Sequence, residues 1–127
     1  MKNFEAKFEN FKNALARLKE AVNAYEENDE FINDCIIQRF EFTYELSHKM
    51  LRRYMEEQGV NFEVFFPKTV IKEAYANHLI NNEQVWLNML NDRNTTSHMY
   101  DKKIADRIVK NIMESYIAEF DNLLNNF

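Results

Sequence analysis

Apolar residues recur every three or four positions along most of the chain, which is the spacing of amphipathic helices. The first stripe comprises Phe4, Phe8, Phe11, Leu15, Leu18, Val22 and Tyr25. Its steps alternate between four and three, as in helices that pack like a coiled coil. Asn28 and Asp29 interrupt the pattern and are suited to cap a second helix. That helix is predicted to run from about Glu30 to Gln58 and to end at Gly59.

Two shorter helices are predicted after a loop at 60–66. Pro67 suits the first turn of a third helix, which the pattern extends to Leu79. Asn81 is suited to cap a fourth helix, with Gln84 at the capping-box position. The core face of this fourth helix is formed by Val85, Trp86, Met89 and Leu90.

The last helix is predicted to follow Asp101, which has the side chain of a helix cap. Its apolar positions are Val109, Ile112, Tyr116, Phe120, Leu123 and Phe127. A chain with one Gly and one Pro has almost no turn residues for a many-stranded fold. We therefore predict an all-α protein, a single domain over 1–127 built as a five-helix up-and-down bundle. This architecture by itself does not name a function.

Composition narrows the functional classes. The net charge of −5 argues against a general nucleic-acid coat, which needs dense positive charge, but it allows a small RNA-processing pocket with a few local cations. The lone Cys35 excludes an internal disulfide and suits a reducing compartment. With no apolar leader and no membrane-spanning run, we expect a cytoplasmic protein that does not engage a membrane. Because 14% of the residues are aromatic, a homodimer interface is the expected place for surplus apolar surface.

The stretch from Asn91 to Asp101, "NDRNTTSHMYD", concentrates the candidate chemistry. Arg93 and His98 are five residues apart and would differ by about 140° around an uninterrupted helix. The three hydroxyl residues between them are mediocre helix formers that compete for the backbone. We therefore expect the helix to end or distort there, so that Arg93 and His98 can converge on one anion within a chain or across a two-fold axis.

These residue types suit RNA cleavage. An imidazole can take a proton from a ribose 2′-OH or deliver one to a leaving oxygen. A guanidinium can bind a phosphate and stabilise charge in the transition state, so neither a metal nor a cofactor is required. On spacing alone the simpler interpretation is favoured, because Arg and His near a helix end are often solvated or bind terminal carbonyls.

A family resemblance changes that balance. "RNTTSHMYD" resembles the R-x4-H-x-Y motif of HEPN proteins that pair with minimal nucleotidyltransferases. "QRFEFTYELSHKMLRRYMEEQG" resembles the second helix of the same group, and "PKTVIKEAYANHLINNEQVWLNMLNDRN" resembles its third and fourth helices. The similarity extends from about Phe4 to Phe120 with matching helix order. It implies a HEPN bundle, a homodimer and a cognate nucleotidyltransferase partner.

Two activities are described for this family. In one, the protein is the HepT ribonuclease toxin of a toxin–antitoxin pair. Arg93 and His98 are then the implied catalytic residues, and the partner adds AMP to Tyr100 to inactivate the toxin. In the other, the protein is a non-catalytic substrate-binding subunit of a two-component nucleotidyltransferase. A structural dimerisation module with a degenerate motif is a third alternative.

Five residues are weaker candidates that support the motif: Asn94, Ser97, His48, Lys49 and Arg39. Family members often carry an aromatic residue, commonly Trp, at the position of His48. His48 either adds a second ionisable group to the cleft or replaces aromatic packing, and a partly exposed helical residue is the default. Arg39 shares the second helix with Glu45, where a solvated ion pair is the simplest expectation. His and Cys show no metal-ligand spacing, so no metal site is predicted.

Overall fold

The computed structural model describes residues 2–64 and 66–127. The helices are α1 (Lys2–Asn23), α2 (Glu30–Glu57), α3 (Pro67–Ala76), α4 (Glu83–Asn94), α5 (Lys102–Asn111) and α6 (Ile117–Asn125). A π-helical turn, Ile112–Tyr116, joins α5 to α6, so the two form one continuous last helix. No strand occurs in either described range, and the predicted all-α five-helix bundle is confirmed. Phe65, inside the predicted loop at 60–66, lies outside the described residues, as does Met1.

Helices α1 and α2 form an antiparallel pair. At one end Arg39 of α2 donates a 2.7 Å hydrogen bond to the carbonyl of Arg17 in α1. At the other end the ring of Phe4 lies 5.3 Å from that of Tyr54. Phe127 completes this aromatic group, with ring centroids 5.2 Å from Phe4 and 4.9 Å from Tyr54. The end of the last helix therefore packs onto both helices of the pair.

The centre of the bundle is aromatic. Phe40 of α2 stacks on Tyr116 at 5.4 Å, and Phe120 lies 5.9 Å from Phe11 of α1. Trp86 meets the edge of Phe120 at 5.7 Å and is fully buried, as the sequence predicted for a core residue. Edge-to-face and offset rings of this kind fix the relative rotation of helices more narrowly than aliphatic contacts do.

Several helix starts match the sequence prediction, and one does not. The carboxylates of Asp29 and Asp101 accept backbone N–H groups at the starts of α2 and α5. The prediction for α4 was wrong by one residue, because Asn82 rather than Asn81 accepts the N–H of Val85. Asn81 instead accepts a hydrogen bond from Asn126, which removes it from the capping position. Gln84 consequently forms no capping box and donates along the helix to Asn88.

Helix α3 is also shorter than predicted and ends at Ala76. His78 adopts a left-handed conformation with φ of 61°. The N–H of Leu79 then reaches back to the carbonyl of Ala74 at 2.9 Å, closing the helix in the manner of a Schellman motif. A His at the left-handed position gives no sequence signal for this ending, since Gly or Asn is usual there.

Candidate functional site

Arg93 lies in the last turn of α4 and is directed toward α2. Its Nε donates a 2.8 Å hydrogen bond to Oε1 of Glu45. This bond, opposed in part by burial, raises the pKa of Arg93, so the guanidinium stays charged. Within residues 2–64 and 66–127 it is the one hydrogen bond of the Arg93 side chain. Both terminal nitrogens, Nη1 and Nη2, therefore remain for an anion while Nε fixes the plane of the group.

Helix α4 ends one residue after Arg93, at Asn94, and two hydroxyl side chains account for this end. Thr95 Oγ1 donates to the carbonyl of Asp92, and Thr96 Oγ1 donates to the carbonyl of Arg93, both at 2.9 Å. These hydroxyls satisfy carbonyls that a continuing helix would bond through backbone N–H groups. A 3₁₀ turn, Thr96–His98, follows. The predicted break in the helix at the hydroxyl residues is confirmed.

The turn presents His98 and Tyr100 together. Both side chains are exposed, and their rings meet edge to face with centroids 6.1 Å apart. Tyr100 is 84% exposed, although a large aromatic ring is usually placed in a core. The structure thus pairs His98 with Tyr100 and Arg93 with Glu45, and among the described residues it shows no hydrogen bond between Arg93 and His98.

The weaker candidates occupy two places. Asn94 and Ser97 flank the end of α4, and both are exposed. Arg39 donates to the carbonyl of Arg17, so its guanidinium is directed toward α1. Lys49 is exposed on α2, one helical turn after Glu45.

His48 is half-buried on α2. Its ring lies 6.3 Å from the ring of Tyr44, in the position of an aromatic packing residue. Burial lowers the pKa of His48; Glu45 acts in the opposite direction, and Arg52 and Lys49 reinforce the lowering. The imidazole is therefore neutral at pH 7 and sits beside the carboxylate that holds Arg93.

A buried polar cluster that was not predicted from the sequence lies on the other side of Arg93. Asp92 is 1% exposed and accepts three side-chain hydrogen bonds. The donors are Arg107 Nη1 at 3.1 Å, Asn111 Nδ2 at 2.9 Å and Tyr116 Oη at 2.5 Å. Burial and the bond to Asp92 both raise the pKa of Tyr116, so its hydroxyl remains a donor.

The π turn explains how this cluster is assembled. Asn111 and Tyr116 are five residues apart, and on a regular α-helix they would differ by about 140°. A π turn has i→i+5 hydrogen bonds, which bring residues five apart toward one side. Both side chains consequently reach Asp92, and the end of α4 is anchored on the last helix. Because Asp92 faces the last helix, its neighbour Arg93 faces α2.

Similarity to known proteins shows the family to which this chain belongs. The family model described as "Nucleotidyltransferase substrate binding protein like" matches residues 6–127. The chain belongs to this family. A curated relative from Haemophilus influenzae, "Probable ribonuclease HepT", is 34% identical over 91 residues, which are 69% of this chain. The aligned region spans 62% of the length of that relative.

Two solved structures have the family fold. A protein from Thermus thermophilus is 31% identical, with a TM-score of 0.79 over 91% of this chain and 96% of that one. HI0074 from Haemophilus influenzae is 25% identical, with a TM-score of 0.70 over 98% and 96% of the two chains. Its structure is described as the fold of a substrate binding domain of a nucleotidyltransferase. The predicted HepT-like, HEPN-type family assignment is confirmed.

The described residues include neither a metal-binding group nor a membrane-spanning helix. In the described ranges no group of three His, Cys, Asp or Glu side chains is arranged to bind a metal ion. No described helix combines the length and apolarity needed to cross a membrane. The one signal for the Asp92 cluster in the sequence is a charged residue three positions after Met89, where the apolar spacing of the helix leads one to expect a core residue.

Proposed function

We propose that this family member is a metal-independent endoribonuclease, the toxin of a toxin–antitoxin pair with a minimal nucleotidyltransferase. One observation carries the proposal: Glu45 holds Arg93 through Nε alone, just before the helix break that exposes His98. Arg93 can then bind an anion through Nη1 and Nη2, and His98, five residues later, is accessible to transfer a proton. The name of the Haemophilus influenzae relative, "Probable ribonuclease HepT", supports the same activity.

The reaction uses the ribose next to the cleaved phosphate. His98 removes the proton of the 2′-OH as O2′ attacks phosphorus. The bond to the 5′-oxygen breaks, and that oxygen leaves with a proton from an acid or from water. The products are a 2′,3′-cyclic phosphate and a 5′-hydroxyl. Arg93 binds the non-bridging oxygens and stabilises the charge that develops on them.

The test is cleavage of total cellular RNA by the purified protein in EDTA, beside the His98→Ala variant. Cleavage by the wild type alone supports the proposal. If neither protein cuts, mass spectrometry of Tyr100 decides the interpretation. AMP already on Tyr100 would explain inactivity, whereas an unmodified Tyr100 would contradict the ribonuclease proposal.

The inactivating step of this proposal uses Tyr100. Its phenol oxygen attacks the α-phosphorus of ATP in the partner's active site, pyrophosphate leaves, and the phenolic proton is lost to solvent. The exposure of the side chain supports this role, because a partner enzyme must reach it. Its ring also contacts that of His98, so an added AMP would place negative charge where an RNA phosphate must bind.

Tyr100→Phe is expected to block this modification and leave cleavage intact, because it removes the acceptor oxygen and keeps the ring. The measurement is intact mass after incubation with ATP and the cognate nucleotidyltransferase, followed by the RNA assay. Tyr75→Phe is the matched control, since Tyr75 is also exposed. AMP incorporation into the Tyr100→Phe protein at the wild-type level would contradict the assignment of the acceptor.

The proposed active form is a homodimer. Phe31 and Phe42 are 89% and 58% exposed on α2, on the same helix as Glu45. Large exposed aromatic residues on one helix mark a contact surface. A second copy placed there would lie beside the Arg93 segment and enclose it.

Phe31→Asp with Phe42→Asp is therefore expected to convert a dimer into a monomer, because each carboxylate would have to be buried without a partner. Light scattering after size-exclusion chromatography measures the mass. Phe66→Asp is the control, since Phe66 is 67% exposed but lies at the start of α3. A dimer that survives the double substitution would place the interface elsewhere.

A non-catalytic substrate-binding subunit is the second candidate function, and the family description favours it. It predicts a tight complex with the nucleotidyltransferase that is independent of His98. It also predicts no RNA cleavage by protein whose Tyr100 is unmodified, so the assay in EDTA separates the two.

A further inference from the structure

The outward-facing side of α2 changes character after Glu45. Phe42, Glu45, Lys49 and Arg52 are spaced by three and four, so they follow one side of the helix. Phe42 precedes Glu45 on this side, and the part that follows Glu45, with Lys49 and Arg52, is cationic. Since Glu45 holds Arg93, the cationic part begins at the candidate active site.

The cationic part lines a cleft between α1 and α2. The cleft has a volume of about 360 Å³ and is lined by Asn3, Lys7, Lys49, Arg52, Arg53 and Glu56. Four of these six residues are cations, in a chain whose net charge is −5. A local concentration of this sign is unexpected for a generic surface of an acidic protein.

Two of the four cations are compensated by neighbours on α2. Arg52 lies 3.7 Å from Glu56, and Arg53 lies 3.2 Å from Glu57. Lys7 and Lys49 form no ion pair with any residue in the two described ranges. Surface pairs one helical turn apart contribute little and exchange readily for another anion. The cleft therefore offers two lysines directly, whereas the side chain of Glu57 is only 15% exposed and holds Arg53 more firmly than a surface pair would.

The spacing of the cations along α2 suits a strand of RNA. Lys49 follows Glu45 by four residues, which is about 6 Å along the helix axis, and Arg52 follows by about 10 Å. These distances are of the order of the separation between neighbouring phosphates in a single strand. Lysines neutralise phosphates as point charges and read no base, so binding here is independent of sequence.

We propose that this cleft binds RNA phosphates next to the phosphate that is cleaved beside Arg93. The inference rests on the proposed ribonuclease function and adds the path of the substrate away from the site. The strand runs from Arg93 across α2 at Lys49 toward Lys7 of α1. The cleft thereby explains how an acidic protein holds a polyanion.

The test is RNA binding by the double variant Lys7→Gln with Lys49→Gln, made in the His98→Ala protein so that nothing is cut. Fluorescence anisotropy with a labelled, unstructured RNA oligonucleotide gives Kd as a function of KCl concentration. Each lost contact with single-stranded RNA removes about 0.7 from the slope of log K against log salt, so the slope is expected to decrease by about 1.4. We expect Kd near 100 mM KCl to rise roughly tenfold.

Lys68→Gln with Lys110→Gln is the matched control, because both lysines are exposed and lie outside the cleft. A salt slope equal to that of this control would overturn the proposal. So would a double variant that keeps RNA binding but loses the nucleotidyltransferase, since an acidic protein surface would then be the occupant. A changed slope supports the cleft even when the wild type fails to cut RNA in EDTA, and that failure would count against the ribonuclease alone.

Discussion

The His98→Ala protein is expected to cleave RNA about 10²- to 10⁴-fold more slowly than the wild type, since that is the usual contribution of a positioned acid or base. The imidazole lies on an exposed 3₁₀ turn, so its loss leaves no cavity in the core. The effect should therefore appear in kcat with the unfolding midpoint unchanged. Single-turnover cleavage of a defined oligonucleotide, beside a thermal unfolding curve, measures both quantities.

Arg93 gives an independent measure of the same site. Arg93→Ala is expected to reduce kcat/KM by about 10²- to 10³-fold, as for the loss of one group that stabilises a developing anion. Arg93→Lys should recover only part of this, because an ammonium cannot match two phosphate oxygens in one plane.

Glu45 supplies the control that separates positioning from catalysis. Glu45→Gln keeps an oxygen that accepts the Nε hydrogen bond, whereas Glu45→Ala removes it. We expect the Gln variant to retain most of the activity and the Ala variant to lose more, chiefly in kcat. Equal activity of Glu45→Ala and the wild type would show that Arg93 needs no fixed orientation. Full activity of His98→Ala would contradict the proposed chemistry.

Asp92→Asn is expected to lower the free energy of unfolding by about 3 kcal/mol. This is the largest stability effect that we predict, although the substitution only exchanges one carboxylate oxygen for an amide nitrogen. Arg107 donates to Oδ1 of Asp92, whereas Asn111 and Tyr116 donate to Oδ2, so an amide nitrogen in either place would face a donor that it cannot accept from. With the amide oxygen at the Oδ2 position, Asn111 and the buried Tyr116 keep an acceptor, but a neutral one that binds them more weakly than the carboxylate does. Arg107 contributes less, because its side chain is half exposed and water screens its charge.

Urea denaturation followed by circular dichroism measures this loss. Asp34→Asn is the matched control, since it makes the same exchange at an exposed site on α2. Tyr116→Phe removes one of the three donors and should cost about a third as much. An Asp92→Asn protein within about 0.5 kcal/mol of the control would show that the cluster does not stabilise the fold.

The helices could be predicted from the sequence because their signals are local. The apolar spacing, Asp29 and Asp101 as caps, and the hydroxyl residues that end α4 all act within one or two turns. The α4 cap was misplaced by one residue because a distant residue, Asn126, competes for Asn81. The end of α3 was missed because a left-handed His78 resembles a continuing helix in composition.

The site was predictable only in part, for a related reason. The R-x4-H-x-Y spacing identifies Arg93, His98 and Tyr100, but a spacing does not reveal which groups hold them. Glu45 is 48 residues from Arg93 in sequence. Tyr116 is 24 residues from Asp92, and a π turn has no recognisable composition. Contacts of this kind depend on how the helices pack, which a periodic pattern leaves open.

The π turn also determines the rotation of the last helix about its own axis. A π turn accommodates about one extra residue relative to an α-helical turn. Deleting one residue there would rotate everything that follows by about 100°. Phe120 would turn away from Trp86, and Phe127 would leave the rings of Phe4 and Tyr54. The π turn thus places two parts of the last helix correctly: the side chains that bind the buried Asp92, and the rings that pack at the far end of the bundle.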